Sequence, residues 1–232
     1  MLRGDEGGLR KSRLAIWLAA AVVLVLALAQ LLLPRIAAGV ISSRIGRYGK
    51  VHSVSVSAWP AVKLLWGSVD SVRVRAGRLA MSPAQAAKLL WEGHSTASID
   101  ATAESVQLGS LRLSDATLQK HDGALSAQAS TSEADVSAAL PAGIGLKLLR
   151  SEGGEVEVQA SGGLFGVGAS VNAVAQASEG RLIAHPLGFL VEGLRLTLFS
   201  DPHVYVEGVG ASVAGEQPLT LTYRLTMSAS LR

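Results

Sequence analysis

The sequence predicts an α+β chain: an N-terminal transmembrane helix, then a strongly curved, mainly antiparallel β-sheet wrapped around a few short helices. Three observations predict it. Residues 14–33 read LAIWLAAAVVLVLALAQLLL, with Gln30 the only strongly polar side chain. From residue 54 to the C-terminus, apolar and polar side chains alternate in short runs separated by Gly, Asp and Ser turns, the period-two signature of half-buried strands. Residues 82–93 form one sharply bounded helical segment.

The apolar run of twenty residues spans a hydrocarbon core of about 30 Å at helical rise. Soluble helices are rarely apolar on every face. Arg10, Lys11 and Arg13 precede it, and Pro34 with Arg35 closes it. The positive-inside bias puts residues 1–13 in the cytoplasm and the remainder on the far side, although Arg44, Arg47 and Lys50 weaken that asymmetry. A cleaved signal peptide is the alternative, with Ala27-Leu28-Ala29 as the small-residue site. Residues 30–33 extend the run beyond what a signal peptide needs, which favours a retained anchor. Both readings export the rest of the chain.

Residues 34–50 read as a linker with a short amphipathic helix over 36–47, and residues 51–232 as one β-rich domain. Its first strands are 54–58 and 72–76, the second with arginines on its outer face. Between them, residues 59–67 form a short apolar turn opened by Pro60 and closed by Gly67. In the 82–93 helix Ser82 is the N-cap, Pro83 occupies the first turn and Gly93 follows the end. Strands at 99–108 and 111–118 and a hairpin around His121-Asp122-Gly123 come next, then a helix over 132–140 capped by Ser132 and stopped by Pro141. Strands at 155–158, 167–177, 181–184, 194–198, 204–213 and 219–231 follow. Turns are expected at Gly162-Gly163, 178–180, 200–202 and Gly215-Glu216. Such spacing suits a meander better than repeated βαβ units.

Charge is uneven although the net value is only +3. Residues 35–90 carry nine basic side chains and one acid, Asp70, whereas residues 91–232 carry eight basic and fifteen acidic ones. A basic segment next to an anchor fits an anionic lipid surface. Nucleic acid is a poor partner, because the domain is exported and lacks the motifs of nucleic-acid binders.

Enzymatic chemistry finds little support. There is no cysteine, hence no disulfide, thiolate metal site, cysteine nucleophile or lipoprotein anchor. Gly166-x-Gly168 and Gly208-x-Gly210 lack the third glycine and the following helix of a dinucleotide site. The five histidines are scattered, no nucleophile elbow or zinc-protease motif occurs, and Glu155 with Glu157 reads as a wet strand face. The expectation is a protein without catalytic residues, metal or cofactor.

Apolar chemistry remains. Lys63-Leu64-Leu65-Trp66-Gly67 recurs as Lys88-Leu89-Leu90-Trp91-Glu92-Gly93. Core packing explains the leucines, and the indoles of Trp59, Trp66 and Trp91 suit a core or a membrane interface. The same residues are also candidates to line an apolar cavity for acyl chains: Trp59, Pro60, Leu64, Leu65, Trp66, Leu89, Leu90 and Trp91. Arg73, Arg75 and Arg78 are candidates for the headgroup phosphate.

An N-terminal apolar segment, then Val54-x-Val56-x-x-x-Pro60-x-x-x-Leu64-Leu65-x-Gly67, Val72-x-Val74, a helix and a long meander resembles the LmeA-like phospholipid-binding family of actinobacterial envelope proteins. The resemblance covers nearly all of residues 34–231. It implies an exported, non-catalytic lipid-binding domain similar to tubular lipid-binding folds, with a phospholipid, expected to be anionic, and the membrane as partners. Only Pro60, Leu64, Leu65 and Gly67 carry over, as structural determinants of the cavity region. The rival expectation is an envelope assembly protein whose sheet pairs with a protein partner.

Overall fold

The computed structural model describes residues 6–140, 142–164, 167–188, 195–217 and 220–232. Pro141, Gly166, Leu194 and Leu219, which belong to the expected helix stop, Gly-x-Gly motif and strand starts, lie outside the described residues, as does part of the basic N-terminal segment.

The apolar run and the expected linker helix are one element, α1 (Glu6–Ile45). Pro34 stands inside it rather than ending it. Proline there removes only its own bond to the Gln30 carbonyl. Packing supports the helix beyond that point: Ala37, Ala38, Ile41 and Ile45 lie against Val56, Val72 and Val74 of the sheet.

The chain then enters β1 (Gly49–Ser57), a 3-10 turn over Ala61–Trp66, β2 (Ser71–Met81), α2 (Pro83–Glu92) and β3 (Ser98–Leu108). Because α2 carries the chain back over the sheet, β2 and β3 pair in parallel, from Ser71 with Ser98 to Met81 with Leu108. This is the one βαβ unit among the described residues, and every other strand pair is antiparallel. The α2 start follows its sequence signals closely. Ser82 Oγ accepts from the Gln85 amide while the Gln85 side chain accepts from the Ser82 amide, a reciprocal capping box. Next come β4 (Leu111–His121), β5 (Ala124–Ser132) and α3 (Glu133–Ala139), the last capped by Ser132 Oγ on the Asp135 amide at 3.1 Å.

The last part holds β6 (Ile144–Glu152), β7 (Glu155–Leu164), β8 (Val167–Ser178), β9 (Arg181–Leu187), β10 (Leu196–Phe199), β11 (Val204–Gln217) and β12 (Thr220–Leu231). Two expected turns are strand instead. Gly162 and Gly163 pair within β7 opposite Ala169 and Gly168. Gly215 sits in β11 at a register shift, where the glycine admits a bulge without breaking the ladder.

The strands form two sheets where the sequence suggested one. A seven-stranded sheet has the order β1-β2-β3-β4-β5-β12-β11, and a five-stranded sheet the order β10-β9-β8-β7-β6. They meet along β11. The Val206 amide donates to the Gly180 carbonyl at 2.9 Å, and the Ala211 amide donates to Ser151 Oγ at 2.9 Å. Neither sheet is closed.

Candidate lipid-binding face

Register across the large sheet decides which side chains share a face, because laterally paired residues project to the same side. Two rows run through all seven strands. One is Val56, Val72, Ile99, Lys120, Leu125, Ala229 and Val206. The next is Val54, Val74, Ala101, Leu118, Ala127, Met227 and Val209. Apart from Lys120 every member is apolar, so one face of the sheet is an apolar floor.

Helices cover that floor unequally. At the β1 edge, α1 packs on Val54, Val56, Val72, Val74, Ile99 and Ala101. At the other side Ala87 and Leu90 of α2 pack on Leu125, Val204, Ala229 and Leu231. Leu118, Ala127 and Met227, in the middle of the second row, belong to neither cluster and remain only half-buried. An apolar strip of this kind, walled by helices on two sides, can accept an acyl chain by area burial alone.

Lys120 interrupts the first row. Its residue is 3% exposed, and its ammonium donates to the His94 carbonyl at 2.9 Å and to the Thr96 carbonyl. Burial pushes its pKa below the ordinary lysine value, and the Asp122 carboxylate opposes this. The lysine thereby ties the segment after α2 onto β4. Tyr223 of β12 is a second buried titratable group. Its hydroxyl lacks a hydrogen-bond partner, and burial raises its pKa, with the Glu133 carboxylate adding to the rise. The opposing influence of the Leu148 backbone falls short of a formed hydrogen bond.

The eight cavity candidates fall into two separate groups. Leu64 packs with the α1 cluster and Leu90 with the α2 cluster. Leu89 is half-buried, and Trp91 stacks on His94 with ring centroids 4.4 Å apart and meets His203 at a tilt, 4.3 Å apart. Pro60 is exposed, and Trp59, Leu65 and Trp66 stand at the surface, 73%, 69% and 75% exposed. These residues therefore do not line one enclosed space. The floor residues Leu118, Ala127 and Met227 are absent from the sequence candidates, yet the alternation within 111–118, the following hairpin and 219–231 carries the signal. Register alone places them side by side.

Two of the three headgroup candidates sit elsewhere. Strand alternation puts Arg73 and Arg75 on the face opposite Val72 and Val74, where Arg73 lies 3.7 Å from the Asp100 carboxylate. All three arginines, Arg78 included, are exposed. Among the described residues no group of three or more His, Asp or Glu side chains gathers as a metal site.

The sequence pattern of the LmeA-like phospholipid-binding family matches residues 25–228. The chain belongs to that family. The match takes in both sheets, all three helices' domain-facing parts and the apolar floor, so lipid binding is the activity that the family membership suggests. No curated protein and no solved structure matches the chain.

Proposed function

We propose that this family member binds phospholipid non-catalytically, acyl chains on the apolar floor of the large sheet and headgroup towards its basic edge. α1 holds the domain at a membrane, on the side away from residues 1–13. The observation carrying this reading is the second apolar row, whose centre at Leu118, Ala127 and Met227 neither helix buries. Leu64, Leu89, Leu90 and Trp91 flank that strip from the helices and the 3-10 turn, and Trp59, Pro60, Leu65 and Trp66 meet lipid at the surface. Arg73 and Arg75 serve an anionic head reached around β1, the only strand between them and the sheet edge, and Arg78, on the Val72 side by alternation, serves it from the floor's end. Carriage of lipid between membranes is consistent with an open strip.

Mass spectrometry of lipids extracted from the purified full-length chain tests the reading. Phospholipid is expected at a fixed stoichiometry, and Leu118→Asp or Met227→Asp, which places a charge on the strip, should deplete it. A chain that purifies empty and takes up no lipid from vesicles would refute the proposal.

The envelope-assembly reading draws on a different observation. β10 is a four-residue edge strand whose Leu196 and Leu198 are both exposed. Cross-linking that captures one protein at β10, with no lipid on the chain, would favour it.

A further inference from the structure

Gln30 lies three residues before the end of the apolar run, about 4.5 Å along the helix axis. Both ends of its side-chain amide are engaged there: the carbonyl accepts from the Ala61 amide at 2.7 Å, and the NH2 donates to the Ala58 carbonyl at 3.3 Å. The 59–67 segment is thus clamped beside the helix at the level where the apolar run ends.

That segment is well ordered internally. Gly67, at φ +74°, closes the turn, its amide donating to the Leu64 carbonyl at 3.1 Å. Asp70 accepts from the Trp59 amide at 2.6 Å and lies 3.6 Å from the Lys63 ammonium. Yet the turn directs Trp59, Leu65 and Trp66 outward, each more than two-thirds exposed. A fixed turn bearing two indoles, a leucine and a lysine has the composition of an interfacial anchor: aromatic rings at headgroup depth, an aliphatic tip below, a cation above. The adjoining helix surface agrees. Leu28, Leu32, Ile36 and Val40, spaced four apart on one face of α1, are exposed, so the uncovered apolar stripe continues past Pro34 beside the domain.

We infer that the 59–67 turn docks in the headgroup layer of the bilayer that α1 enters, with the outer stripe of α1 against the same lipid. The domain is then held at the membrane at two points and cannot swivel freely about the anchor. The inference rests on reading α1 as a membrane anchor, and it is independent of whether the domain carries a lipid.

Because the chain has no cysteine, single substitutions report cleanly. The full-length chain is placed in nanodiscs of phosphatidylcholine and phosphatidylglycerol with one dye-labelled cysteine at Leu24→Cys, Leu65→Cys or Ser110→Cys. Ser110 sits at the opposite end of the sheet, ten strand residues or about 33 Å from the end where the turn lies. Docking predicts that the Leu65 dye, like the Leu24 dye, resists iodide and is quenched by nitroxide lipids, while the Ser110 dye behaves oppositely. Adding Trp59→Ser and Trp66→Ser, both at exposed positions, should return the Leu65 dye to iodide. A Leu65 dye as open to iodide as the Ser110 dye, with the Leu24 dye protected, overturns the docking and leaves the anchor standing. An iodide-accessible Leu24 dye overturns the anchor reading, and the docking with it.

Discussion

Gln30 shows how one side chain can look misplaced in sequence and be necessary in structure. In a purely lipid-embedded helix its amide would be a desolvation cost, whereas here it pairs with two backbone groups of the turn at Ala58 and Ala61. Gln30→Leu makes the run more apolar but leaves the amide of Ala61, a fully buried residue, without its acceptor. Denaturant titration of the full chain in detergent should show a loss of about 1–3 kcal/mol. Unchanged stability would mean the clamp contributes nothing. Lys120 makes a pH-dependent case. Its pKa is lowered in the folded state, so between that value and the ordinary lysine value of 10.5 the unfolded chain binds a proton that the folded chain does not. Stability should therefore rise with pH through that window. In Lys120→Met this rise should vanish, which thermal unfolding of both proteins across alkaline pH will read.

At the scale of elements, local signals were legible where the chemistry is local. The Ser82 cap of α2 and the Ser132 cap of α3 are set by the few residues around them and formed as read, and Gln85 completes a capping box at the first. Pro34 and Gly162-Gly163 misled because long-range pairing overrode a local breaker: the turn at Ala58 and Ala61 holds α1 before the proline and the sheet packs it afterwards, and β8 supplies β7 with a partner through the glycines. The division into two sheets was not legible, since period-two alternation is the same in either. One glycine marks the junction. Gly180 has φ +78°, and a Cβ there would lie 2.2 Å from the Tyr205 ring, itself covered by the Arg232 guanidinium at 3.5 Å. Gly180→Ala should therefore cost about 2–4 kcal/mol from backbone strain and overpacking together. Gly153→Ala, in a turn with open space and φ +63°, carries only the backbone part. Comparing the two unfolding midpoints isolates the junction, and equal losses would show that β11 does not need the close approach at Gly180.

The whole molecule joins an apolar floor, a basic first third and a helix long enough to cross a membrane. Composition revealed the second and third of these. The floor required strand register, which no single stretch of sequence encodes. The same register separates apolar side chains from arginines: Val72 and Val74 face the helices, while Arg73 and Arg75 face away. On the proposed reading, a headgroup would meet those arginines by passing the β1 edge, which would make recognition of charge and burial of chain separable. Arg73→Glu combined with Arg75→Glu leaves the floor intact, and both positions are exposed, so stability should hardly change. Asp100 would then face glutamate instead of its 3.7 Å partner, adding to local negative potential. Each basic residue near an anionic surface contributes about 1 kcal/mol. Lipid extracted from the doubly reversed chain should therefore shift from anionic towards zwitterionic species at unchanged total occupancy. An unchanged lipid ratio would remove these arginines from headgroup selection, and a fall in total occupancy would show that the two faces are not separable after all.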